Sequence, residues 1–389
     1  MDQQTVRKMT PERALAPDLG RGFMLLLIVV AHAPVYLFAA DTRLMTRPLG
    51  EHALDQVINF WGLLFVDNRA YPMFAVLFGY GLATMVSRQI GKGLPVQQVK
   101  RLLLRRSWLL IVFGFIHMVI IGGADILAAY GVAGLVIGWL LFKRTQLQIR
   151  AIIGFGLVYM LLIPSAWLVL FPILKSEDSG MGLTATHTYL QLVGEYAMAF
   201  PFVVLINVLL YPMIFIISLG IWSARNRWLD QPERFHKRLK QLALGGISIS
   251  MTGALPYALV GANAWHPQPE MISWFFILHV LTGVAGGLGY TALIAIGSHS
   301  IRRIMPRVTS MLVSVGKRSL TFYIYQELML VVLLSPVAFG LGGRMDSAGA
   351  LITAVLIWMS GIAIAVWLES RRLSGPADAI MRKLVYRRR

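Results

Sequence analysis

The sequence has no cysteine and few charged residues for a chain of 389. Without cysteine there are no disulfide bonds, no thiolate metal ligands and no cysteine nucleophile. Charged side chains make up only 14% of the residues, whereas about 25% is usual in a soluble domain. Apolar residues make up 57%. A water-exposed fold cannot hide that much apolar surface, so we expect membrane lipids to surround much of the chain.

Acidic residues are also scarce, with 18 Asp and Glu against 36 Lys and Arg, and the formal net charge is +18. A basic balance of this size occurs in proteins that bind nucleic acids. Here the basic residues form short clusters between apolar runs, and none carries the interleaved aromatic platform that binds single strands. We therefore expect no nucleic-acid partner. The sequence also lacks HExxH, Walker and GxSxG motifs, and we expect no metal site.

Ten runs of the sequence are long and apolar enough to cross a bilayer, which takes about 20 residues. They predict an all-α transmembrane helix bundle of about ten helices over residues 1–372. Asp67, Asn68 and Arg69 interrupt the second run, so we expect a broken segment there, with the span starting near Tyr71. The predicted spans cover residues 21–40, 59–87, 103–121, 124–142, 149–171, 196–222, 241–260, 272–297, 311–334 and 348–368.

The distribution of basic residues predicts how the bundle is oriented. With the N-terminus, every second loop and the C-terminus in the cytoplasm, these segments hold 31 of the 36 Lys and Arg, as the positive-inside rule requires. Both termini are thus predicted to be cytoplasmic, in the bacterial inner membrane. Residues 373–389 combine an apolar helical face with basic residues. They predict either an amphipathic helix on the cytoplasmic leaflet or a frayed positive tail.

Ionisable residues inside a span are costly in lipid, which makes them the candidates for a functional site. In the first span Arg21 and His32 are eleven residues apart, which is about 16 Å along a helix. Arg21 then lies at the cytoplasmic boundary, where it can hold a phosphate. His32 lies near the midplane, where an imidazole can act as a general base. The plainer alternative makes Arg21 a positive-inside anchor and His32 a group that bonds a neighbouring helix.

The third span repeats this spacing. Arg106, which follows Arg105, is eleven residues before His117, and this second histidine is predicted at about the depth of the first. Two histidines at one depth predict a shared polar cavity. Asp125 follows at the outer end of the span, where it either bonds Tyr130 or caps the fourth helix.

Three further candidates lie in other spans. Arg69 is predicted near the outer face, where it orders an anionic acceptor or pairs with Asp67. His279 lies in the eighth span, and Gln326 with Glu327 lies deep in the ninth. Each of these is either part of a substrate site or a bonded group of the core.

The order of these segments resembles the YeiB-like family of uncharacterised bacterial membrane proteins, which carry the domain of unknown function 418. The matching stretches run over nearly the whole chain, and their shared order and spacing make the match specific. They are LxRGF from Leu19, FxxLFGYG from Phe74, RRxxLLxxFGxIH from Arg105, AD-I-L-xxY-G from Ala124, VGKRSLTFYIYQ from Val315 and the tail after Gly375-Pro376.

The family is similar, more remotely, to the transmembrane acyltransferases, including the heparan glucosaminide acetyltransferase type and the bacterial O-acyltransferases. This resemblance implies a ten-helix bundle that moves an acyl group from cytoplasmic acyl-CoA to an acceptor outside. Many O-acyltransferases carry Arg, ten residues and then His in the first helix, which Arg21 and His32 match. YeiB-like relatives commonly have Asn at the His position. This chain also departs from its family at Ala124, usually Gly, and at Phe322, usually Asn.

Our hypothesis from the sequence is therefore a membrane acyltransferase with acyl-CoA, for example acetyl-CoA, as donor and an envelope glycan or lipid as acceptor. The first histidine would act as base or acyl carrier. The hypothesis places the donor on Arg21, Arg105 and Arg106, catalysis on His32 and His117, and the acceptor beside Asp125, Arg69, Tyr130, His279 and Gln326. One rival is a transporter or lipid flippase that uses the same groups as substrate or proton sites. Another is a scaffold for envelope proteins. A homodimer is compatible with the sequence.

Overall fold

In the computed structural model, which describes residues 15–39, 43–44, 47–50, 52–140, 146–175 and 183–386, the chain is almost entirely helical. Helices satisfy their backbone groups internally, as lipid requires. A short antiparallel ribbon joins β1 (Arg43–Leu44) to β2 (Arg47–Pro48). The helices are α1 (Leu15–His32), α2 (Ala53–Phe65), α3 (Ala70–Gly91), α4 (Val96–Phe115), α5 (Leu127–Leu140), α6 (Gln146–Met160), α7 (Ile163–Lys175), α8 (Tyr189–Leu209), α9 (Met213–Arg225), α10 (His236–Gly261), α11 (Pro269–Ile304), α12 (Pro306–Gly316), α13 (Ser319–Leu334), α14 (Ser347–Ser370) and α15 (Pro376–Tyr386).

The predicted all-α class is confirmed. Within the described residues, seven helical segments are long and apolar enough to cross a membrane, and there are eight if the bent pair α6 and α7 forms one span. Helices α5, α9 and α13 are apolar but shorter. Together these helices indicate a multi-pass membrane protein.

Several predicted spans are interrupted. The break predicted in the second span is present, since α2 ends at Phe65, α3 begins at Ala70, and Asn68 between them has a left-handed φ of 60°. The fifth span bends by 41° between α6 and α7. The sixth is divided before Pro212 and the ninth near Arg318, which the sequence does not predict. Proline has no N–H to continue the hydrogen bonds of a preceding helix, so a new helix begins after Pro212.

Helix α1 is the central element of the bundle, in contact with α3, α11, α12, α13 and α14. It approaches α12 so closely that backbone meets backbone. A Cβ on Gly22 would collide with the carbonyl oxygen of Leu312, and one on Gly316 would collide with that of Asp18. Small residues permit this close packing between helices in lipid. The contact fixes α1, and with it the position of His32 at its end.

We expect Gly316→Ala to lower the free energy of unfolding by about 1–3 kcal/mol, as overpacking does. The added methyl group has no room unless α1 and α12 separate. Thermal unfolding of the purified protein measures this effect. Gly154→Ala is the matched control, because a Cβ there meets nothing within 4 Å. A Gly316→Ala protein that melts with the wild type would contradict the close contact of α1 with α12.

The tail helix α15 packs against α4 and α13. Asp378 accepts hydrogen bonds from the backbone amide and the hydroxyl of Thr321, at 3.1 and 2.7 Å. Of the apolar face predicted for residues 373–389, Met381 and Val385 are buried against the protein, whereas Ile380 is exposed. Residues 387–389, the end of the predicted tail, lie outside the described residues.

Candidate functional site

A cavity of about 880 Å³ lies in the half of the bundle opposite the N-terminal end of α1. Its walls come from the end of α1, the start of α3, the loop after α4, most of α8, the end of α10 and the start of α11. The wall is largely apolar and aromatic, with a few polar side chains, which is typical of a small-molecule site.

His32 and Glu327 form the first polar pair at this cavity. His32 Nδ1 lies 2.8 Å from Glu327 Oε2. The other carboxylate oxygen, Oε1, accepts hydrogen bonds from the hydroxyl of Tyr36 at 2.7 Å and from the amide of Ala124 at 3.0 Å. Glu327 is only 1% exposed. These bonds satisfy a carboxylate whose burial would otherwise be costly.

This pair determines which nitrogen of His32 is available. An ionised carboxylate only accepts hydrogen bonds, so Nδ1 of the neutral ring carries the proton and Nε2 keeps its lone pair. The His32 side chain lines the cavity and is 24% exposed. A histidine whose Nδ1–H is held by a buried carboxylate is arranged as a general base, because the carboxylate orients the ring and stabilises the imidazolium. The pair can therefore take a proton from a hydroxyl or amine in the cavity.

His117 lies in a π-helical turn, Ile116–Ile121, that extends α4. The structure brings it close to Glu327 as well, since a Cβ on Gly123 would contact both side chains. His117 Nδ1 is 3.1 Å from Asp125 Oδ1, without hydrogen-bond geometry. The His117 ring is fully buried and does not line the cavity. Of the two predicted catalytic histidines, only the first reaches the cavity.

Asp125 lines the cavity and caps helix α5. Its carboxylate accepts hydrogen bonds from the amides of Leu127 and Ala128, at 3.1 and 2.9 Å. Of the two predicted alternatives, capping is the one observed. Tyr130, placed in the acceptor pocket by the sequence, does not line the cavity, and its hydroxyl donates to the carbonyl of Tyr71 at 2.9 Å.

Arg69, also predicted to face an acceptor, is a buried cross-link with 1% exposure and does not line the cavity. Its guanidinium donates to the carbonyl oxygens of Leu63 and Ser250, each at 3.0 Å, and to that of Asp67. These bonds tie the segment before α3 to α10. Arginine suits this role because its planar fork presents several donors in fixed directions.

The alternative pairing of Arg69 with the Asp67 carboxylate is wrong. That carboxylate accepts two hydrogen bonds from Arg47, at 2.6 and 2.8 Å. Arg47 lies in the β1–β2 ribbon and is also buried. The sequence does not single it out, because an arginine in a connection between two spans carries no signal of burial.

His279 lines the cavity, as the acceptor prediction requires. Its ring contacts Arg69 on the side away from the cavity. The guanidinium nitrogen lies 3.2 Å from His279 Nδ1. Arginine only donates, so Nδ1 accepts and Nε2 carries the proton of the neutral ring. The ring stacks on Tyr257, with centroids 5.2 Å apart. His279 therefore presents a donor at Nε2, whereas His32 presents an acceptor.

Part of the chain is similar to a family without an assigned activity. Residues 223–388 match the family described as "Protein of unknown function (DUF418)". An uncharacterised protein, YxaH, of Bacillus subtilis (strain 168) is 25% identical over 83% of this chain and 80% of its own length. An uncharacterised 39.9 kDa protein in the amylase 3' region of Bacillus acidopullulyticus is 25% identical over 97% and 95%.

The site is shared between the residues that match this family and the residues before them. Glu327 and His279 lie within the matched residues, whereas His32, Asp125 and Arg69 precede them. The His32–Glu327 pair joins positions 295 residues apart. A complete site therefore needs both parts of the chain.

The structure does not bring the predicted donor arginines to the cavity. Arg21 pairs with Asp18 at 3.0 Å, and about 10 Å of α1 separates it from Ile28, where the cavity wall begins. Arg106 lies over the ring of Phe78, 5.7 Å from its centroid. Arg105 is exposed on α4. All three lie towards the end of the bundle where α1 begins.

Gln326 is not a cavity residue, although the sequence places it in the acceptor pocket. It is buried, and its side-chain amide has no hydrogen-bond partner among the described residues. Glu327, which the sequence also marks as an ionisable group inside a span, is the neighbour that pairs with His32. Adjacent helical residues point about 100° apart, and only the packing of α13 shows which of them faces His32.

Proposed function

We propose that the protein is a membrane acyltransferase that moves an acyl group from cytoplasmic acyl-CoA to an acceptor on the outer side of the bacterial inner membrane. The observation that carries this proposal is the His32–Glu327 pair, 2.8 Å apart, on the wall of a cavity that accommodates an acceptor. The remote resemblance to O-acyltransferases supports it through Arg21 and His32.

The proposal includes ten membrane crossings with both termini in the cytoplasm. Ten crossings result when each broken pair, α2 with α3, α6 with α7, α8 with α9, and α12 with α13, is counted once. The positive-inside distribution of 31 of the 36 Lys and Arg supports this orientation. In this topology the cavity lies in the outer half of the bundle.

In the proposed reaction, His32 Nε2 removes the proton from an acceptor hydroxyl as its oxygen attacks the thioester carbonyl carbon. The new C–O bond replaces the C–S bond, and the imidazolium returns its proton to the leaving sulfur. Free CoA and an acyl ester are the products. Glu327 stabilises the imidazolium between the two proton transfers, and Tyr36 holds Glu327 in place.

The donor is proposed to bind from the inner end of α1, with its phosphates near Arg21 and Arg106. Calorimetric titration of the protein with acetyl-CoA tests this site. We expect Arg21→Ala to weaken binding about tenfold, since a charge-assisted hydrogen bond contributes about 1.5–3 kcal/mol. Arg303→Ala, at an exposed position near the end of α11, is the control and should bind as the wild type does.

Transport is the second candidate, favoured by the position of the donor arginines outside the cavity. Buried histidine–carboxylate pairs also occur in proton relays of transporters. Absence of acetyl-CoA binding, together with solute uptake driven by a pH gradient in vesicles, would favour transport over acyl transfer.

A further inference from the structure

Three buried polar atoms, on side chains that line the cavity, have no hydrogen-bond partner among the described residues. They are the hydroxyl oxygens of Tyr71 and Tyr257 and Nε2 of His279. All three side chains line the cavity, and Tyr257 and His279 are 2% and 1% exposed. Buried polar groups in proteins are nearly always paired, so three orphans on one wall mark a place where a ligand supplies the partners.

The side chains that carry these atoms belong to one series of ring contacts, in which every member except Trp167 lines the cavity. Neighbouring centroids are between 4.9 and 5.6 Å apart along the series His279, Tyr257, Phe276, Trp167, Tyr211 and Tyr71. Tyrosine combines a flat apolar face with one hydroxyl that donates or accepts. His279 adds a donor, because its Nδ1 accepts from Arg69. Such a wall fits a ring that is apolar on its faces and carries hydroxyls at its edge, as a sugar does.

The charges around the cavity disfavour an anionic ligand. Three carboxylates line it, on Asp67, Asp125 and Glu195, and the described lining residues include no Lys or Arg. Arg69 lies behind the wall, where Nη1 and Nη2 donate to backbone carbonyls and to His279. Arg47 compensates the charge of Asp67. A phosphate here would still meet the carboxylates of Asp125 and Glu195, with no Lys or Arg among the described lining residues to bind it. A neutral headgroup carries no such penalty.

The cavity opens towards the surface that would face lipid. Met198 and Phe202 of α8 line the cavity and are also 70% and 67% exposed. In the most apolar 18-residue stretch of α8, only 11% is buried within the protein. An opening flanked by exposed apolar side chains at the level of a span suits a molecule that arrives from the bilayer with a hydrocarbon tail.

We propose that this cavity binds an amphiphile with a neutral, multiply hydroxylated headgroup, as in a glycolipid. The sugar ring lies against Tyr257 and Tyr71, its hydroxyls complete the hydrogen bonds of the three orphan atoms, and the tail leaves past Met198 and Phe202. Only the role of this ligand as acyl acceptor rests on the proposed acyl transfer. Its binding requires neither the donor nor the reaction.

The test is binding of octyl β-glucoside to the full-length protein in phosphatidylcholine nanodiscs, measured by calorimetry. Octyl phosphate tests the charge, and free glucose tests the tail. We expect the glucoside to bind more tightly than either. Tyr257→Phe should weaken its binding about fivefold, the effect of one hydrogen bond. The melting temperature should stay unchanged or rise, because the lost hydroxyl has no partner among the described residues.

Tyr159→Phe is the control, since its hydroxyl donates to the carbonyl of Leu209 and its ring does not line the cavity. It should bind the glucoside as the wild type does. Tighter binding of octyl phosphate, or wild-type affinity in Tyr257→Phe, would overturn the proposed headgroup. Equal binding of free glucose would overturn the amphiphile. The experiment contains no acyl-CoA, so these outcomes are independent of whether acyl transfer occurs.

Discussion

His32→Asn and Glu327→Gln should each lower the rate of acyl transfer at least about 100-fold, the smaller end of what general base catalysis contributes. Asparagine has no nitrogen lone pair that takes up a proton at neutral pH. Glutamine keeps the shape of Glu327 but removes the charge that fixes the His32 tautomer and stabilises the imidazolium. Transfer of radiolabel from acetyl-CoA to envelope lipids or glycans in proteoliposomes measures both effects.

The double variant provides the sharper test. Because the two side chains act as a unit, combining His32→Asn with Glu327→Gln should cost little more than either change alone. His299→Asn is the matched control, since this exposed histidine pairs with Glu233 at 3.2 Å, outside the cavity. Multiplicative losses in the double variant, or near wild-type transfer in either single one, would show that the pair is not the catalytic base.

Arg69→Met should lower the free energy of unfolding by about 3 kcal/mol or more, since each buried polar group left unpaired costs about 1–3 kcal/mol. The carbonyl oxygens of Leu63 and Ser250 would lose their donor, and His279 Nδ1 would lose its own. Arg69→Lys should rescue little, because an ammonium group does not reproduce the planar fork. Thermal unfolding in nanodiscs, together with the amount of protein in the membrane, reports the loss.

Arg303→Met controls for the removal of a cation, since Arg303 is exposed near the end of α11. The acceptor hypothesis from the sequence makes the opposite prediction for Arg69, namely a stable protein with an increased KM for the acceptor. That result would return Arg69 to the binding site and contradict its role as a cross-link.

The bundle, its membrane character and the break before α3 are predictable from the sequence, because lipid imposes a simple rule. Every backbone group in the hydrocarbon layer must be satisfied, so long apolar runs become helices and charged interruptions become breaks. The common depth of His32 and His117 is also predictable from their spacing. Both histidines do lie near Glu327.

The rotation of each helix about its axis is not predictable in the same way. Whether Gln326 or Glu327 faces His32 depends on how α13 packs against α1, which apolar runs do not encode. The burial of Arg47 and Arg69 depends on carbonyl oxygens and a carboxylate that the fold brings to them. In the sequence, such arginines appear only as charges beside or between predicted spans, without any sign of burial. The tautomers of His32 and His279 likewise depend on partners distant in the chain.

The π-helical turn Ile116–Ile121 makes the length of this segment as important as its composition. Its hydrogen bonds run from each residue to the fifth one before it, so the turn holds one residue more than an α-helical turn. Deleting one residue there would restore a regular helix and leave the loop after it, with the amide of Ala124 on Glu327, in nearly the same place, because the wider turn only absorbs the extra residue. The change would fall on the turn itself, where the side chain of His117 would point in a different direction. The extra residue therefore sets the direction of His117 and not the position of the loop.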